Sequence, residues 1–178
     1  MPKNNIRKLA IAGLLCAVAV VGSLFSFPVL GSRCSPAQHL VNVLCAVLLG
    51  PGWSFGTAFA AALIRNITGL GTLMAYPGSI FGALLAGLLY HYSKKIPAAL
   101  VGEAFGTAVI GGLCAYPVAV FLMGKDAAGL AFYAYIIPFL ISTIGGVILA
   151  GLLLGALSKS HLLPGIQASL NPLRKDAK

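Results

Sequence analysis

The sequence predicts an all-α integral membrane protein, built as a single bundle of six transmembrane helices with both termini in the cytoplasm. Composition decides the class, because 59% of the residues are hydrophobic and only 8% are charged, against about 25% charged residues in an ordinary soluble domain. The mean hydropathy of +0.97 points the same way. The length of 178 residues leaves room for about six helices of roughly 20 residues. We therefore expect one domain over residues 1–158 and a short basic tail over residues 159–178.

Apolar runs bounded by glycine, proline and charged residues give the limits of the six helices. The first run is longer than the apolar core of a signal peptide and lacks a small-residue cleavage site before Arg33, so it is predicted to be retained. The second and third runs are short and meet at Gly50-Pro51-Gly52, which leaves a re-entrant hairpin as an alternative to two full spans. The predicted helices cover residues 8–30, 36–50, 52–67, 74–93, 96–122 and 129–157.

Membrane topology explains the net charge of +9. With the N-terminus inside, the cytoplasmic segments hold nine basic residues and the outer side holds three, in agreement with the positive-inside rule. An odd number of spans would scatter the lysines over both faces, so six spans are the consistent solution and nucleic-acid binding is not indicated. The inner set is Lys3, Arg7, Lys8, Lys94, Lys95, Lys159, Arg174, Lys175 and Lys178, and the outer set is Arg33, Arg65 and Lys125.

The segment from Ile64 to Tyr90 combines a charged residue, a glycine turn and a helix of small apolar residues. An ionisable group inside such a chain is costly, so Arg65 with the adjacent Asn66 predicts a functional site. The topology brings further polar and aromatic side chains to the outer third of the bundle, which is the profile of a small-molecule pocket. The predicted ligand-binding residues are His39, Asn42, Arg65, Asn66, Tyr76, Tyr116 and Tyr133.

Most of these residues also have a structural interpretation. The tyrosines suit an interfacial aromatic belt, and Tyr76 and Tyr116 each precede a proline that would kink a helix. His39 and Asn42, about one turn apart, are equally suited to hydrogen bonds between helices.

Glu103 is the only acidic residue within a predicted span. It lies 13 residues before Tyr116, or about 20 Å lower on a helix, so we expect it in the inner half of the bundle, apart from the pocket. Its possible roles are a coupling carboxylate, a hydrogen-bond partner of a neighbouring helix, or an ionic partner of Lys94 or Lys95.

Small residues at four-residue spacing predict closely packed helices in lipid. Gly78, Gly82 and Ala86 form such a row on the fourth helix, and Gly102 and Gly106 form one on the fifth. The cytoplasmic half of the first helix carries several overlapping rows, so that one face is free to receive a partner helix. The candidate docking residues there are Ala12, Gly13, Cys16 and Ala17.

Several chemistries are not expected. The sequence has no phosphate-binding loop of the Gly-x-x-x-x-Gly-Lys-Ser/Thr type, so the chain is not expected to hydrolyse ATP itself. The four cysteines show no metal-ligand spacing and the three histidines are far apart, so neither a metal site nor a cofactor is expected. No nucleophile, base and orienting acid are expected to meet at one depth, which argues against an enzyme.

A set of motifs spread over the chain carries a family resemblance. The motifs are His39-Leu-Val-Asn42, Leu49-Gly-Pro-Gly-Trp53, Ile64-Arg-Asn66, Met74-Ala-Tyr-Pro-Gly-Ser79, Gly82-Ala-Leu-Leu-Ala-Gly-Leu-Leu-Tyr90, Gly102-Glu-Ala-Phe-Gly106 and Ala115-Tyr-Pro117. Together they resemble the ThiW proteins over nearly the whole sequence.

The resemblance implies a six-helix S component, the substrate-binding subunit of an energy-coupling-factor (ECF) transporter, in a bacterial or archaeal cytoplasmic membrane. ThiW proteins are assigned to uptake of the thiamine precursor hydroxyethylthiazole. ATP hydrolysis would come from a separate module of one transmembrane coupling protein and two ATPase subunits. S components dock on the coupling protein through a small-residue face of the first helix, for which Gly13 and Ala17 are the best match and Ala12 and Cys16 the alternative.

The sequence thus predicts that a small heteroaromatic ligand stacks on Tyr76 or Tyr116. Its polar atoms are expected to bond to the amides and the imidazole of the predicted site, with Arg65 at the rim. A proton-coupled secondary transporter with Glu103 as the titrating group is the alternative, and a membrane scaffold without a ligand is a third interpretation.

Overall fold

A computed structural model of the protein describes residues 3–29 and 32–170. Within these ranges the chain forms eight α-helices and a short antiparallel β-hairpin. This architecture agrees with the all-α membrane class predicted from composition. The helices are α1 Lys3–Gly22, α2 Pro36–Leu48, α3 Pro51–Ile67, α4 Pro77–Ser93, α5 Ile96–Phe105, α6 Gly112–Pro117, α7 Ile136–Lys159 and α8 Leu162–Leu170, and the strands are β1 Phe27–Val29 and β2 Ser32–Cys34.

In the described part of the chain, four helical segments are long and apolar enough to cross a membrane. They are Asn4–Phe25, Leu73–Ser93, Ile96–Leu122 and Ile136–Lys159. In the third, the π-helical segment Gly106–Gly111 joins α5 to α6, and a second π-helical segment, Val118–Leu122, follows α6. Helices α2 and α3 have 13 and 17 residues, or about 20 and 26 Å of helix, which is less than a bilayer core of about 30 Å. The six predicted spans therefore divide into four long segments and one shorter pair.

The first and last predicted spans have different limits in the structure. Helix α1 is followed by one 3₁₀ turn, Ser23–Phe25, and then by the hairpin, so the predicted helix over residues 8–30 is wrong after residue 25. Pro28 accounts for the break, because proline has no N–H to donate within a helix. Helix α7 begins at Ile136 and not at residue 129, because Ala134 and Ile136 donate to carbonyl groups three residues back, as in turns.

Helices α4 and α5 approach so closely that their contact requires small residues. A side-chain carbon added to Gly102 would lie 2.9 Å from the Cα atom of Ala86, and one added to Gly106 would lie 2.8 Å from the Cα atom of Gly82. These distances are shorter than real carbon contacts, so the two backbones touch. The predicted small-residue rows are confirmed here. Glu103 lies between Gly102 and Gly106, so the close contact places it against α4.

Helix α1 has one face in the bundle and one face outside it. Ala12 and Cys16 are buried in a core cluster with residues of α2 and α3. Gly13 and Ala17 are exposed, and nothing lies within 4 Å of a side-chain carbon added to Gly13. Of the two predicted docking pairs, the pair Gly13 and Ala17 is therefore the one left open to a partner.

Helix α8 packs against the end of the bundle opposite the hairpin. Leu163 and Leu170 are buried in the hydrophobic core. Gln167 Nε2 donates to the carbonyl oxygen of Val47 at 2.9 Å and to the hydroxyl of Tyr90 at 2.8 Å. Residues 162–170 of the predicted tail are thus part of the packed structure. The terminal basic residues of that tail, Arg174, Lys175 and Lys178, lie outside the described residues.

Candidate functional site

A cavity lies at the end of the bundle that carries the hairpin. It contains about 30 Å³ of space open to the centres of water molecules. Its walls come from the hairpin, the first turns of α2, α4 and α7, the last turn of α3 and the α3–α4 loop. The wall contains two large apolar side chains, Met74 and Phe139, and is otherwise mainly polar. The polar wall residues are Ser32, Arg33, Ser35, Gln38, His39, Arg65, Thr72, Ser79 and Ser142.

Arg65 forms the part of the wall where α3 ends. Its side chain is buried, with 4% of the residue exposed. Its Nη1 donates to Gln38 Oε1 at 3.3 Å, and its Nε has no hydrogen-bond partner. The loop after α3 folds back onto it, because the N–H of Gly71 donates to the Arg65 carbonyl oxygen at 2.8 Å. A side-chain carbon at Gly71 would lie 3.0 Å from Arg65 Cβ, so glycine permits this close return.

A chain of buried side chains leads from Arg65 into the bundle. Gln38 accepts from Arg65 and donates from Nε2 to Asn42 Oδ1 at 3.0 Å. Asn42 Nδ2 in turn lies 3.1 Å from the carbonyl oxygen of Ser79 on α4 and 2.9 Å from Glu103 Oε1, and donates to both. Gln38 and Asn42 are one turn apart on the same face of α2. This helix therefore connects the cavity wall with the centre of the bundle.

Glu103 is the acceptor on which this network converges. It is fully buried, and its Oε1 accepts three hydrogen bonds. The donors are His39 Nδ1 at 2.8 Å, Asn42 Nδ2 at 2.9 Å and Thr107 Oγ1 at 3.3 Å. Its Oε2 has no hydrogen-bond partner and packs against Gly82, where an added carbon would lie 2.8 Å away. An ionised carboxylate, which only accepts, suits this arrangement. The bonds from His39 and Asn42 fix α2 to α5, and the bond from Thr107 lies within the helix that carries Glu103.

His39 links Glu103 to the cavity wall and to α7. Its Nε2 lies 3.0 Å from Ser142 Oγ, and that oxygen also accepts the N–H of Ser35 at 2.9 Å. One proton arrangement satisfies every group: His39 Nδ1–H donates to Glu103, and the Ser142 hydroxyl donates to Nε2. This tautomer is assigned from the hydrogen-bond network.

The expected separation of Glu103 from His39 and Asn42 is wrong. Glu103 lies seven residues after the start of α5 and Asn42 six residues before the end of α2, or about 10 Å from the same end of the bundle in both cases. Because α2 is short, its residues lie deeper than a full-length span would place them. Of the roles considered for Glu103, a hydrogen bond to a neighbouring helix is the one that the structure shows.

The predicted tyrosines lie outside the cavity wall. Tyr76 packs its ring against Phe59, with centroids 5.7 Å apart. Tyr116 is half-buried on α6, and Tyr133 is 55% exposed in the loop before α7. The aromatic surface of the cavity comes instead from Phe139, which follows that loop in the first turn of α7.

The predicted polar residues divide into two groups. His39 and Arg65 are in the cavity wall. Asn42 is not, but it is hydrogen-bonded to Gln38 and Glu103, the partners of Arg65 and His39. Asn66 is turned to its own helix, where its Nδ2 donates to the carbonyl oxygen of Ala62 at 2.8 Å. The structure therefore brings Arg65, and not its neighbour, to the cavity.

Comparison with protein families matches residues 9–160 to the family described as thiamine-precursor transporter protein (ThiW). The chain belongs to the ThiW family. The match includes α2 to α7 and so the whole cavity and its network. ThiW is a family of transporters, so the chain is a membrane transport protein for a thiamine precursor. A search of curated proteins finds no match.

In this ThiW protein, a serine, a histidine and an acid meet in one row, contrary to the sequence-based expectation. Ser142, His39 and Glu103 follow one another at 3.0 and 2.8 Å, in the order of a hydrolase triad. The Ser142 oxygen also accepts a hydrogen bond from the N–H of Ser35. Glu103 accepts hydrogen bonds from two other donors, Asn42 and Thr107. In a transporter family, this row is best explained as the support of a polar wall. Among the residues described, no three His, Cys, Asp or Glu side chains are placed to hold a metal ion.

Gln38 and Ser142 are among the wall residues that are missing from the predicted ligand set. Gln38 lies four residues before Asn42, so helical periodicity places both on one face and is a sufficient signal to include it. Ser142 has no comparable signal, because it lies in a long, mainly apolar helix and meets His39 only through the packing of α7 on α2.

We predict that Glu103→Gln destabilises the protein by about 3–5 kcal/mol, because it removes the charge that three buried donors share. Thermal unfolding in detergent measures this effect. Asp126→Asn is the control, since Asp126 is exposed in the loop before α7, and it should change the stability by less than about 0.5 kcal/mol. Equal unfolding temperatures for Glu103→Gln and the unmodified protein would contradict the structural role of Glu103.

Proposed function

We propose that the protein is the S component of an ECF-type importer, which captures hydroxyethylthiazole at the cavity beside Arg65. The observation that carries this proposal is the cavity, where buried polar side chains of a ThiW protein converge. Hydrogen bonds to Asn42 and Glu103, which lie outside the wall, hold two of these side chains, Gln38 and His39, in place. One transmembrane coupling protein and two ATPase subunits would complete the importer. They would supply the ATP hydrolysis for which this sequence has no phosphate-binding loop.

The proposal includes six spans with both termini in the cytoplasm of a bacterial or archaeal cell, so that the cavity faces outward. The basic residues support this orientation. Lys94 and Lys95 lie between α4 and α5, and Lys159 ends α7, all at the end of the bundle opposite the cavity. Helices α2 and α3 would complete the six spans as a short pair, with the hairpin at the outer end of α2.

The cavity offers an apolar side and a polar side to a small heteroaromatic ligand. Phe139 and Met74 present surfaces for a ring, and aromatic stacking on Phe139 suits a thiazole. Gln38, His39 and Ser142 present donors and acceptors for the ring nitrogen and the hydroxyl. Polar groups at defined positions give a ligand its orientation.

Ligand binding requires this cavity to widen. The space of about 30 Å³ corresponds to roughly two water molecules at 10–15 Å³ each, which is less than a thiazole ring needs. The α3–α4 loop is the wall segment best suited to move, because it contains Gly69 in a left-handed conformation, at φ +73°, and Gly71 two residues later. Rotation about these residues would lift Thr72 and Met74 from the wall.

We also propose that the exposed Gly13 and Ala17 face of α1 docks on the coupling protein. Small residues allow close approach of a partner helix in lipid, and this face has no partner among the described residues. Ala12 and Cys16 are less suited, because both already pack in the core.

The docking face is tested by Gly13→Leu. We expect unchanged thermal unfolding and ligand binding, because the side chain has free space, but an affinity for the coupling module reduced by about tenfold or more. Co-purification with the coupling protein and ATPases measures assembly. Val18→Leu, at an exposed position on another side of α1, is the matched control. Full assembly of the Gly13→Leu variant would exclude this face.

A proton-coupled secondary transporter is the second candidate, favoured by the buried pair His39 and Glu103, two titratable groups 2.8 Å apart. This candidate predicts gradient-driven uptake by the chain alone in liposomes, abolished by Glu103→Gln. We expect no such uptake, because Glu103 is outside the cavity wall and is held by three donors. Uptake without ATPase subunits would replace the S-component proposal.

The ligand is tested by calorimetry on the purified chain with hydroxyethylthiazole, thiamine and the pyrimidine precursor. We expect hydroxyethylthiazole to bind with a Kd of about 1 µM or lower, and Ser142→Ala to weaken binding about tenfold through a lost hydrogen bond. Tyr133→Phe is the control and should leave the Kd unchanged, since Tyr133 is exposed away from the cavity. Absence of binding to all three compounds would overturn the ligand assignment.

A further inference from the structure

Arg65 carries a positive charge that no described carboxylate neutralises. The whole sequence has three acidic residues. Glu103 accepts hydrogen bonds from His39, Asn42 and Thr107, Asp126 lies in an exposed loop after the long helix, and Asp176 is outside the described residues. Among the described residues no carboxylate forms an ion pair with Arg65, so the guanidinium faces the cavity without an ionic partner there.

The same guanidinium lacks a hydrogen-bond acceptor. Its Nη1 donates to Gln38, but its Nε is buried and has no partner. A buried donor without an acceptor and a buried charge without a counter-charge are both unfavourable. The carbonyl groups at the C-terminal end of α3 offset part of the charge but supply no acceptor to Nε. A ligand in the cavity can satisfy both requirements.

A second arginine adds to the positive charge of this wall. Arg33 on β2 is exposed, and its Nη1 donates to the carbonyl oxygen of Leu70 at 3.2 Å, on the loop that folds back onto Arg65. Two guanidinium groups at one cavity repel each other, and a neutral ligand leaves that repulsion in place. One edge of a guanidinium, formed by Nε–H and a terminal N–H, matches two oxygens of a phosphate or carboxylate.

We propose that the cavity selects an anionic ligand, a phosphate monoester of a small hydroxyalkyl heteroaromatic, with its phosphate between Arg65 and Arg33. The inference rests on the proposed function, since it places the anion in the substrate-capture site. A phosphate monoester carries a charge of about −1.5 to −2 at pH 7, which balances the two arginines. The neutral alcohol contacts the same ring surface on Phe139 but leaves both charges unneutralised.

The test compares three probes on the full-length chain in non-ionic detergent: hydroxyethylthiazole, its phosphate monoester and inorganic phosphate. Calorimetry should show the monoester binding at least about tenfold more tightly than the alcohol. Inorganic phosphate should compete with the monoester for the site but should not compete with the alcohol. In Arg65→Gln this preference should fall below about threefold, while the alcohol still binds, which also shows that the variant is folded.

Two further variants separate charge from geometry. Arg65→Lys keeps the charge but loses the guanidinium edge, so the preference should lie between those of the unmodified protein and Arg65→Gln. Arg7→Gln is the control, because Arg7 is exposed at the opposite end of the bundle, and it should leave the preference unchanged. Equal binding of alcohol and monoester, or a preference that survives in Arg65→Gln, would overturn the inference and leave the proposed function intact. Failure of all three probes with folded protein would overturn both.

A lipid headgroup has the same phosphate chemistry, so the titration is repeated in nanodiscs rich in anionic lipid. An unchanged preference for the monoester supports a soluble anionic substrate. Loss of the preference there, with retention in detergent, would assign the arginines to a lipid phosphate and overturn the inference.

Discussion

Three hydrogen-bond donors meet on one oxygen of Glu103, and the candidate site depends on this junction. His39 and Asn42 reach it from α2 and Thr107 from the helix that carries Glu103 itself. Asn42 also bonds to α4, and His39 bonds to Ser142 on α7, so four helices are joined just below the cavity. A carboxylate buried without donors is strongly unfavourable, and these donors can be brought together only if the helices keep their relative depth. The position of the cavity wall follows from that constraint.

The two buried ionisable residues of the bundle, Glu103 and Arg65, therefore differ in their hydrogen-bond partners. One oxygen of Glu103 accepts three hydrogen bonds within the protein, which suits a structural role beneath the site. The charge of Arg65 is left without an ionic partner beside the cavity, which suits a role in binding. Gln38 connects the two, because it accepts from Arg65 and donates to Asn42, one bond away from Glu103. A ligand that changes the position of Arg65 would change the hydrogen bonds of Gln38 and Asn42, although Glu103 itself lies outside the cavity wall.

The sequence could predict the limits of the middle helices because proline marks them. Helices α2, α3 and α4 begin at Pro36, Pro51 and Pro77, where the missing N–H costs nothing, and each start lies within about three residues of the predicted one. The hairpin was missed because Phe27 and Val29 are as apolar as the helix before them, although Pro28 between them is a helix-breaking signal of the same kind. The approximate depth of a residue follows from its position in a helix only if the helix spans fully. Helix α2 does not, and so the meeting of Asn42 with Glu103 could be found only from the fold.

An experimental structure with a bound thiamine precursor would locate the ligand relative to the Glu103 junction. We expect the ligand in the cavity at the hairpin end, against Phe139 and within hydrogen-bond distance of Arg65 or Ser142, while the contacts of Glu103 with His39 and Asn42 stay in place. A ligand bound directly to Glu103, or against Tyr116 and Tyr133 with the cavity empty, would contradict this expectation.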